Sequence, residues 1–365
     1  MAASWIKSPS YAPNPGPRRL WAVAVLGLLS IGLTMAVYAR KLPLALDADA
    51  GQAVMQMETC LQALKAMRLS LGIPVDPERD PAQSGLIGTD YSSITTTLGD
   101  LRAKQTALNP QFAGLMVAWL KMAGLHRGDP VALSFSGSFP ALNLAAHCAC
   151  DTLGLKPLII SSVGASCYGA NIPGFTWLDM EARLFDAGLI RSRSRYASLG
   201  GIMDTAGGID GTGIGVGEAA IARHGAVYLR EGTPRTVIRD VKRRMALYTA
   251  AGLPKAFVNV GGNVTALGWV KAATLLDSGL LTRIPTCSSP RRGTIFRMFE
   301  AGVPVIHLIN IERLAAANHL PIAPATLHPG KNPGTMAIRR EHLWHLGLTL
   351  GAWFSLSVAF IVYRI

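Results

Sequence analysis

"VALSFSGSFPALNLAAHCACDTLGLKPLIISS", residues 131–162, decides how the fold is read. Val131 to Phe135 is a short, nearly continuous apolar run, the pattern of a strand covered on both faces rather than on one. Pro140 then stands where a helix can begin, because the first helical position needs no N–H. The helix is predicted from Pro140 to Leu153, and a second apolar run, Pro157 to Ile160, follows it. Strand, helix and strand in so short a span predict a parallel unit.

The same alternation continues on both sides. Helices are predicted at 112–125, 177–189, 218–224, 236–251 and 311–318, and apolar strands at 256–260 and 303–309. The fold class is therefore α/β: a three-layer domain over residues 112–338 with a mostly parallel sheet. Residues 45–71 carry Val54, Met57, Leu61, Leu64, Met67 and Leu71 at helical spacing, with Lys65 and Arg68 on other faces. This predicts an amphipathic helix, and 42–111 is read as that helix plus a polar linker region.

Both ends are apolar. Residues 20–38 and 343–363 hold no Asp, Glu, Lys or Arg, and Arg18, Arg19, Arg40 and Lys41 bracket the first run. Each is long enough for a bilayer core of about 30 Å, so two flanking transmembrane helices are predicted, after a disordered tail over 1–19. Flanking charge does not discriminate the two orientations. Arg18-Arg19 ahead of the first run resembles a start-transfer arrangement, which places the domain on the extracytoplasmic side of a bacterial cell membrane.

The net charge is +13; residues 1–41 carry +5 and residues 339–365 carry +2, leaving +6 for the domain. A basic domain beside a bilayer suits an anionic partner. Basic clusters stand at 191–195, 242–244 and 291–292. The five cysteines (Cys60, Cys148, Cys150, Cys167, Cys287) are odd in number and irregular in spacing, which argues against a disulfide framework or a zinc site. No metal or cofactor is expected.

Ligands of open parallel sheets bind beyond the carboxyl ends of the strands. The segments there share Gly, Ser and Asn: Ser136, Gly137 and Ser138; Ser161, Ser162 and Ser166, then Asn171; and Gly261, Gly262 and Asn263. Such residues admit close backbone approach and supply short donors, so they are the candidate ligand-binding set, suited to an anion. Ser138 and Ser136 are the candidate nucleophiles, although "FSGSF" is not the G-x-S-x-G elbow. His224, His307, Asp179 and Glu181 are candidate partners for them. Ser138 is equally placed to cap the Pro140 helix. The glycine-dense stretch "GGIDGTGIGVGEAA", 207–220, matches neither G-x-G-x-x-G nor a P-loop, and reads as a connection, a flap or a close approach to a ligand.

"GDLRAKQTALNPQFAGLMV", "VALSFSGSFPALNLA", "PLIISSVGASCYGANIPGFTWLDME" and "FVNVGGNVTALG" together resemble the bacterial poly-gamma-glutamate system protein family, over residues 45–320. The resemblance implies a membrane component of poly-γ-glutamate synthesis and export, with no active site carried over. The expected role is an accessory component that binds the anionic polymer or glutamate oligomers, because the sequence shows no clear acid–base constellation. An enzyme, hydrolase or transferase, acting on γ-glutamyl bonds through a serine is the alternative. The implied partners are the polymer, other membrane subunits of the system and the lipid bilayer, with no nucleic acid.

Overall fold

The computed structural model describes Gly32 and residues 48–230, 237–268, 276–284 and 292–327. Gly32 apart, these belong to one compact unit, Ala45–Gly334. The runs 20–38 and 343–363 lie outside the described residues, again apart from Gly32. Among the described residues no helix is long and apolar enough to cross a membrane.

From residue 48 the described elements are α1 (Ala48–Ser70), β1 (Thr95–Thr97), α2 (Leu101–Ala107) and α3 (Gln111–Met122). The decisive stretch forms β2 (Pro130–Ser136), α4 (Pro140–Leu153) and β3 (Lys156–Ser162), as its pattern predicts. Short elements follow: β4 (Ala165–Ser166), β5 (Asn171–Ile172), β6 (Phe175–Thr176), α5 (Trp177–Asp186), β7 (Tyr196–Ser198), α6 (Gly211–His224) and β8 (Val227–Tyr228). The last part holds α7 (Val237–Tyr248), β9 (Ala256–Val260), α8 (Val264–Leu267), β10 (Gly279–Leu281), α9 (Thr294–Glu300), β11 (Val305–Leu308) and α10 (Ile311–Ala317).

The main sheet runs β10-β11-β9-β2-β3-β7-β8. All neighbours are parallel except β10 with β11. From β2 the chain steps outward through β3, β7 and β8, then returns to place β9 on the other side of β2. Strand order thus reverses between β2 and β9, and a crevice is expected beyond their carboxyl ends.

Helices cover both faces. Ala132, Ile160, Phe257 and Val305 pack on one face with Tyr248 of α7 and Ile295 and Phe296 of α9. On the other, Phe135 meets His147 of α4 and the edge of Trp177 at the start of α5, with ring centroids 5.3 and 5.9 Å apart. Phe112, Leu115 and Val117 of α3 and Val54, Met57 and Leu64 of α1 are fully buried, as is most of α4. Residues 48–111 are therefore part of the packed body rather than a linker. Arg68 shows why α1 does not follow a simple amphipathic pattern: it is buried, and its guanidinium serves the carbonyls of Pro74, Gly85 and Ile87.

The glycine-dense stretch is not a flap. From Gly211 it is helical, with the Asp210 carboxylate accepting from the Gly213 N–H at 2.7 Å. A Cβ on Gly213 would lie 1.8 Å from the Ser93 carbonyl oxygen, and one on Gly217 would lie 2.6 Å from Leu199, whereas Gly215 faces open space. At Gly213 the obstacle is backbone, which only glycine fits, whereas at Gly217 it is the end of the Leu199 side chain, which can turn aside. Gly213→Ala should therefore cost about 1–3 kcal/mol through overpacking, while Gly215→Ala should gain roughly 0.5–1 kcal/mol from helix propensity. Urea unfolding of the two variants checks the opposite signs.

Candidate functional site

The serine-rich turn after β2 is built into the neighbouring strand's loop. Gly137 donates its N–H to the Ser162 carbonyl at 3.0 Å. A Cβ there would meet the Val163 carbonyl oxygen at 2.5 Å. Gly137 therefore permits close approach of the 163–165 backbone, and its amide is not available to an anion. Ser138 does not cap α4 either, because Phe139 is the capping position and no side chain caps it. Instead the Ser138 hydroxyl oxygen accepts from the Ser166 N–H at 3.0 Å.

Ser166 ends β4, and α2 brings a partner to it that composition does not advertise. The Lys104 Nζ lies 2.7 Å from Ser166 Oγ and 2.5 Å from the Ser138 carbonyl oxygen, and sits 3.6 Å from the centroid of the Phe139 ring. Lys104 is only 4% exposed. Burial pulls its pKa down from 10.5 to about 7, only partly offset by Cys167 and Asp100. A substantial fraction of this amine is therefore unprotonated near neutrality, with a serine hydroxyl in hydrogen-bonding reach. That is the relation a base bears to a nucleophile. A dent lined by Lys104, Phe139, Pro140, Ala141 and Tyr168 adjoins it, with room for about one water molecule.

Asp100 caps α2, accepting from the N–H groups of Arg102 and Ala103 at 2.8 and 3.2 Å. One turn later Lys104 faces inward. The cue was present in the sequence as an Asp-initiated helix, but "GDLRAKQTA" is too polar and short for periodicity to single out one lysine.

Ser136 and Gly261 meet at the crevice between β2 and β9, where a Cβ on Gly261 would lie 3.4 Å from that of Ser136. Ser136 Oγ accepts from the Ser138 N–H at 3.2 Å, and the Ser136 carbonyl accepts from Asn143 at 2.9 Å. Gly262 is exposed, and Asn263 caps α8 by accepting from the Thr265 N–H at 2.8 Å. Ser162 is buried, and its hydroxyl donates one long bond, to the Phe135 carbonyl at 3.4 Å.

Two expected ligand residues belong elsewhere. The fully buried Asn171 holds Thr89 through both its backbone groups, and also Thr95. Ser161 alternates onto the other face of β3 and bonds to Ser194 Oγ at 2.6 Å. Neither points to the crest, because successive residues of a strand face opposite sides and the 171 turn is closed on itself.

The four candidate base partners also lie apart from the serines at 136 and 138. Glu181 is fully buried between two histidines, with His147 Nε2 at 2.9 Å on one oxygen and His224 Nε2 at 2.8 Å on the other. The Ser194 N–H and hydroxyl add bonds at 2.9 and 3.0 Å. Burial alone would raise its pKa, but the hydrogen bonds and charges of the histidines outweigh it and bring it to about 2. Asp179 closes a capping box with Thr176 and pairs with Arg223 at 2.8 Å. His307 faces Asn259 across β11 and β9. Asn259 Nδ2 donates to the Gly261 carbonyl at 2.8 Å and lies 3.1 Å from His307 Nδ1. Burial lowers the His307 pKa from 6.5 to about 4. The unfolded chain takes up this proton near pH 6.5 and the folded chain near pH 4. Stability is thus full above 6.5 and falls by about 3 kcal/mol on the way down to 4. His307→Gln should flatten that part of the stability–pH curve in urea titrations; an unchanged slope would place the loss in another group.

Among the described residues no group of three or more His, Cys, Asp and Glu side chains is arranged to hold a metal ion. Cys60, Cys148, Cys150 and Cys167 are free and buried, and Cys287 lies outside the described residues. Burial pushes the Cys148 and Cys150 thiols well up, which leaves them poor nucleophiles. No family model, curated protein sequence or solved structure matches this chain.

Proposed function

We propose that the chain is a membrane-anchored protein of poly-γ-glutamate synthesis and export that performs acyl transfer on γ-glutamyl amide bonds at Ser166. The observation that carries this reading is the buried Lys104 amine 2.7 Å from Ser166 Oγ, with its pKa drawn down to about 7. The polymer and the membrane anchoring rest on the family resemblance and on the runs 20–38 and 343–363.

In the proposed step Ser166 Oγ adds to the amide carbonyl carbon while its proton passes to Lys104 Nζ. The C–N bond then breaks and the leaving amine takes that proton, which leaves an acyl ester on Ser166 and a neutral Lys104. Water or the amine of a second chain attacks the ester, giving hydrolysis or transfer, and Ser166 recovers its proton. The Ser138 hydroxyl accepts from the Ser166 N–H, and among the described residues no acceptor takes its own proton. It is therefore free to donate to the developing oxyanion.

A second reading, an accessory component that binds the polymer without cleaving it, is favoured by the enclosure of the serine. Ser166 is 7% exposed, and the nearby amides of Ser166, Cys167 and Tyr168 are all committed to protein acceptors. Incubating the purified full chain with poly-γ-glutamate separates the two. Shortened chains or transfer products support acyl transfer; salt-sensitive binding without turnover supports the accessory role; neither product nor binding overturns both.

A further inference from the structure

Two basic clusters distant in sequence, 191–195 and 242–244, reach the same margin of the sheet. There β8 is the outermost strand, held only by β7: Val227 N donates to the Arg195 carbonyl at 3.0 Å and Leu229 N to the Ala197 carbonyl at 2.7 Å. Three guanidiniums along it lie over aromatic rings. Arg193 is 5.1 Å from the centroid of Phe185, Arg195 is 5.7 Å from that of Tyr196, and Arg230 is 5.0 Å from that of Tyr228. Arg243 of α7 reaches the Arg230 carbonyl at 3.4 Å, whereas its neighbour Arg244 turns inward to Asp204. Arg193, Arg195, Arg230 and Arg243 are all exposed. Arg230 pairs with Glu218 at 3.0 Å; among the described residues the other three have no ion-pair partner.

We propose that this margin docks an extended polycarboxylate chain, whose carboxylates take the forks of Arg193, Arg195 and Arg243. A guanidinium presents two parallel N–H groups that match a carboxylate, and stacking on a ring holds the fork in place before the ligand arrives. The neighbouring aromatic faces are covered by the arginines themselves, which leaves little platform for stacking bases. The exposed apolar residues there, Phe185 and Val227, lie on separate elements and form no stripe for entering a bilayer. None of the contacts of these arginines involves Ser166, and the proposed role of the surface does not require the polymer to be cleaved.

The test uses the full chain in a non-ionic detergent and fluorescein-labelled poly-α-L-glutamate, read by anisotropy at low salt. Replacing Arg193, Arg195 and Arg243 together by Gln should weaken binding about tenfold or more. A charge-matched control replaces Arg127, Lys156 and Lys255, exposed at the amino ends of the strands, and should change it by less than about threefold. Turnover of poly-γ-glutamate by the parent is assayed in parallel, so a failure of the chemistry and a failure of this surface are read separately. Equal losses in the two triple variants would reduce the effect to net charge and overturn the proposal. So would absence of binding, or tighter binding of duplex DNA or phosphatidylglycerol vesicles through the same three arginines.

Discussion

Lys104→Met is expected to lower kcat on a γ-glutamyl substrate by about 10²–10⁴ while making the folded protein more stable. The two effects have one cause. A buried amine that must shed its proton costs stability near neutrality, and a thioether of similar length does not. The sign follows from the pKa shift: the unfolded chain keeps this proton up to 10.5, the folded chain only to about 7. Stability contributed by this group therefore rises between pH 7 and 10.5 and is lost as pH falls through 7. At pH 7 the methionine variant should gain roughly 1–4 kcal/mol. Activity should follow the unprotonated amine, so kcat/KM of the parent should rise with pH below about 7 and level off above it. Ser166→Ala should abolish turnover without changing the fold. A flat pH profile, or an active Ser166→Ala protein, would rule the pair out as the reacting groups.

Glu181→Ala is expected to cost about 3–5 kcal/mol, a large share of the total stability of an ordinary domain. The carboxylate is the common acceptor for His147, His224 and Ser194, and none of these groups can reach water. Removing it leaves several buried donors unmatched at once. Glu181→Gln should cost less, because only one ring must change tautomer. His147 Nδ1 has the Ser192 hydroxyl at 3.3 Å to receive a relocated proton, while His224 Nδ1 has no partner. The amide is therefore expected to turn its NH₂ toward His147. The pH dependence has the same sign as that of Lys104 in a more acidic window: stability from Glu181 is full above 4.5 and is lost as pH falls towards 2. Urea unfolding of both variants, with the parent followed from pH 5 to 2, reads all three expectations. Equal losses for alanine and glutamine would mean that the charge, rather than the count of acceptors, holds the network.

The architecture was legible because it rests on local patterns. The apolar runs of β2, β3, β9 and β11 are buried on both sides, so they read as unbroken hydrophobic segments whatever lies around them. Pro140 fixed the start of α4 for a reason internal to the chain. What was not legible at the sheet's margin follows the same logic: β7, β8 and β10 have two or three residues each, too few to show a period. The glycine alternation at 211–217 fits a connection, a flap or a ligand contact equally well in the sequence, because its meaning lies in Ser93 and Leu199, remote in sequence.

By itself the sequence determined the α/β class, the Gly/Ser/Asn content of the strand ends and the place of Ser136 and Ser138 at the carboxyl end of β2. Only the tertiary structure decided which of those groups meet. Ser161 and Ser162 are neighbours in the chain, yet the pleat sends one into the Glu181 network and leaves the other beside the crest. Lys104 and Ser166 are 62 residues apart and have no shared motif, yet their side chains touch. A strand's hydrophobicity is a local property, set by what its own residues lose on leaving water. The low pKa of Lys104 is not local: it arises from the walls that bury the amine, and those walls come from separate segments of the chain.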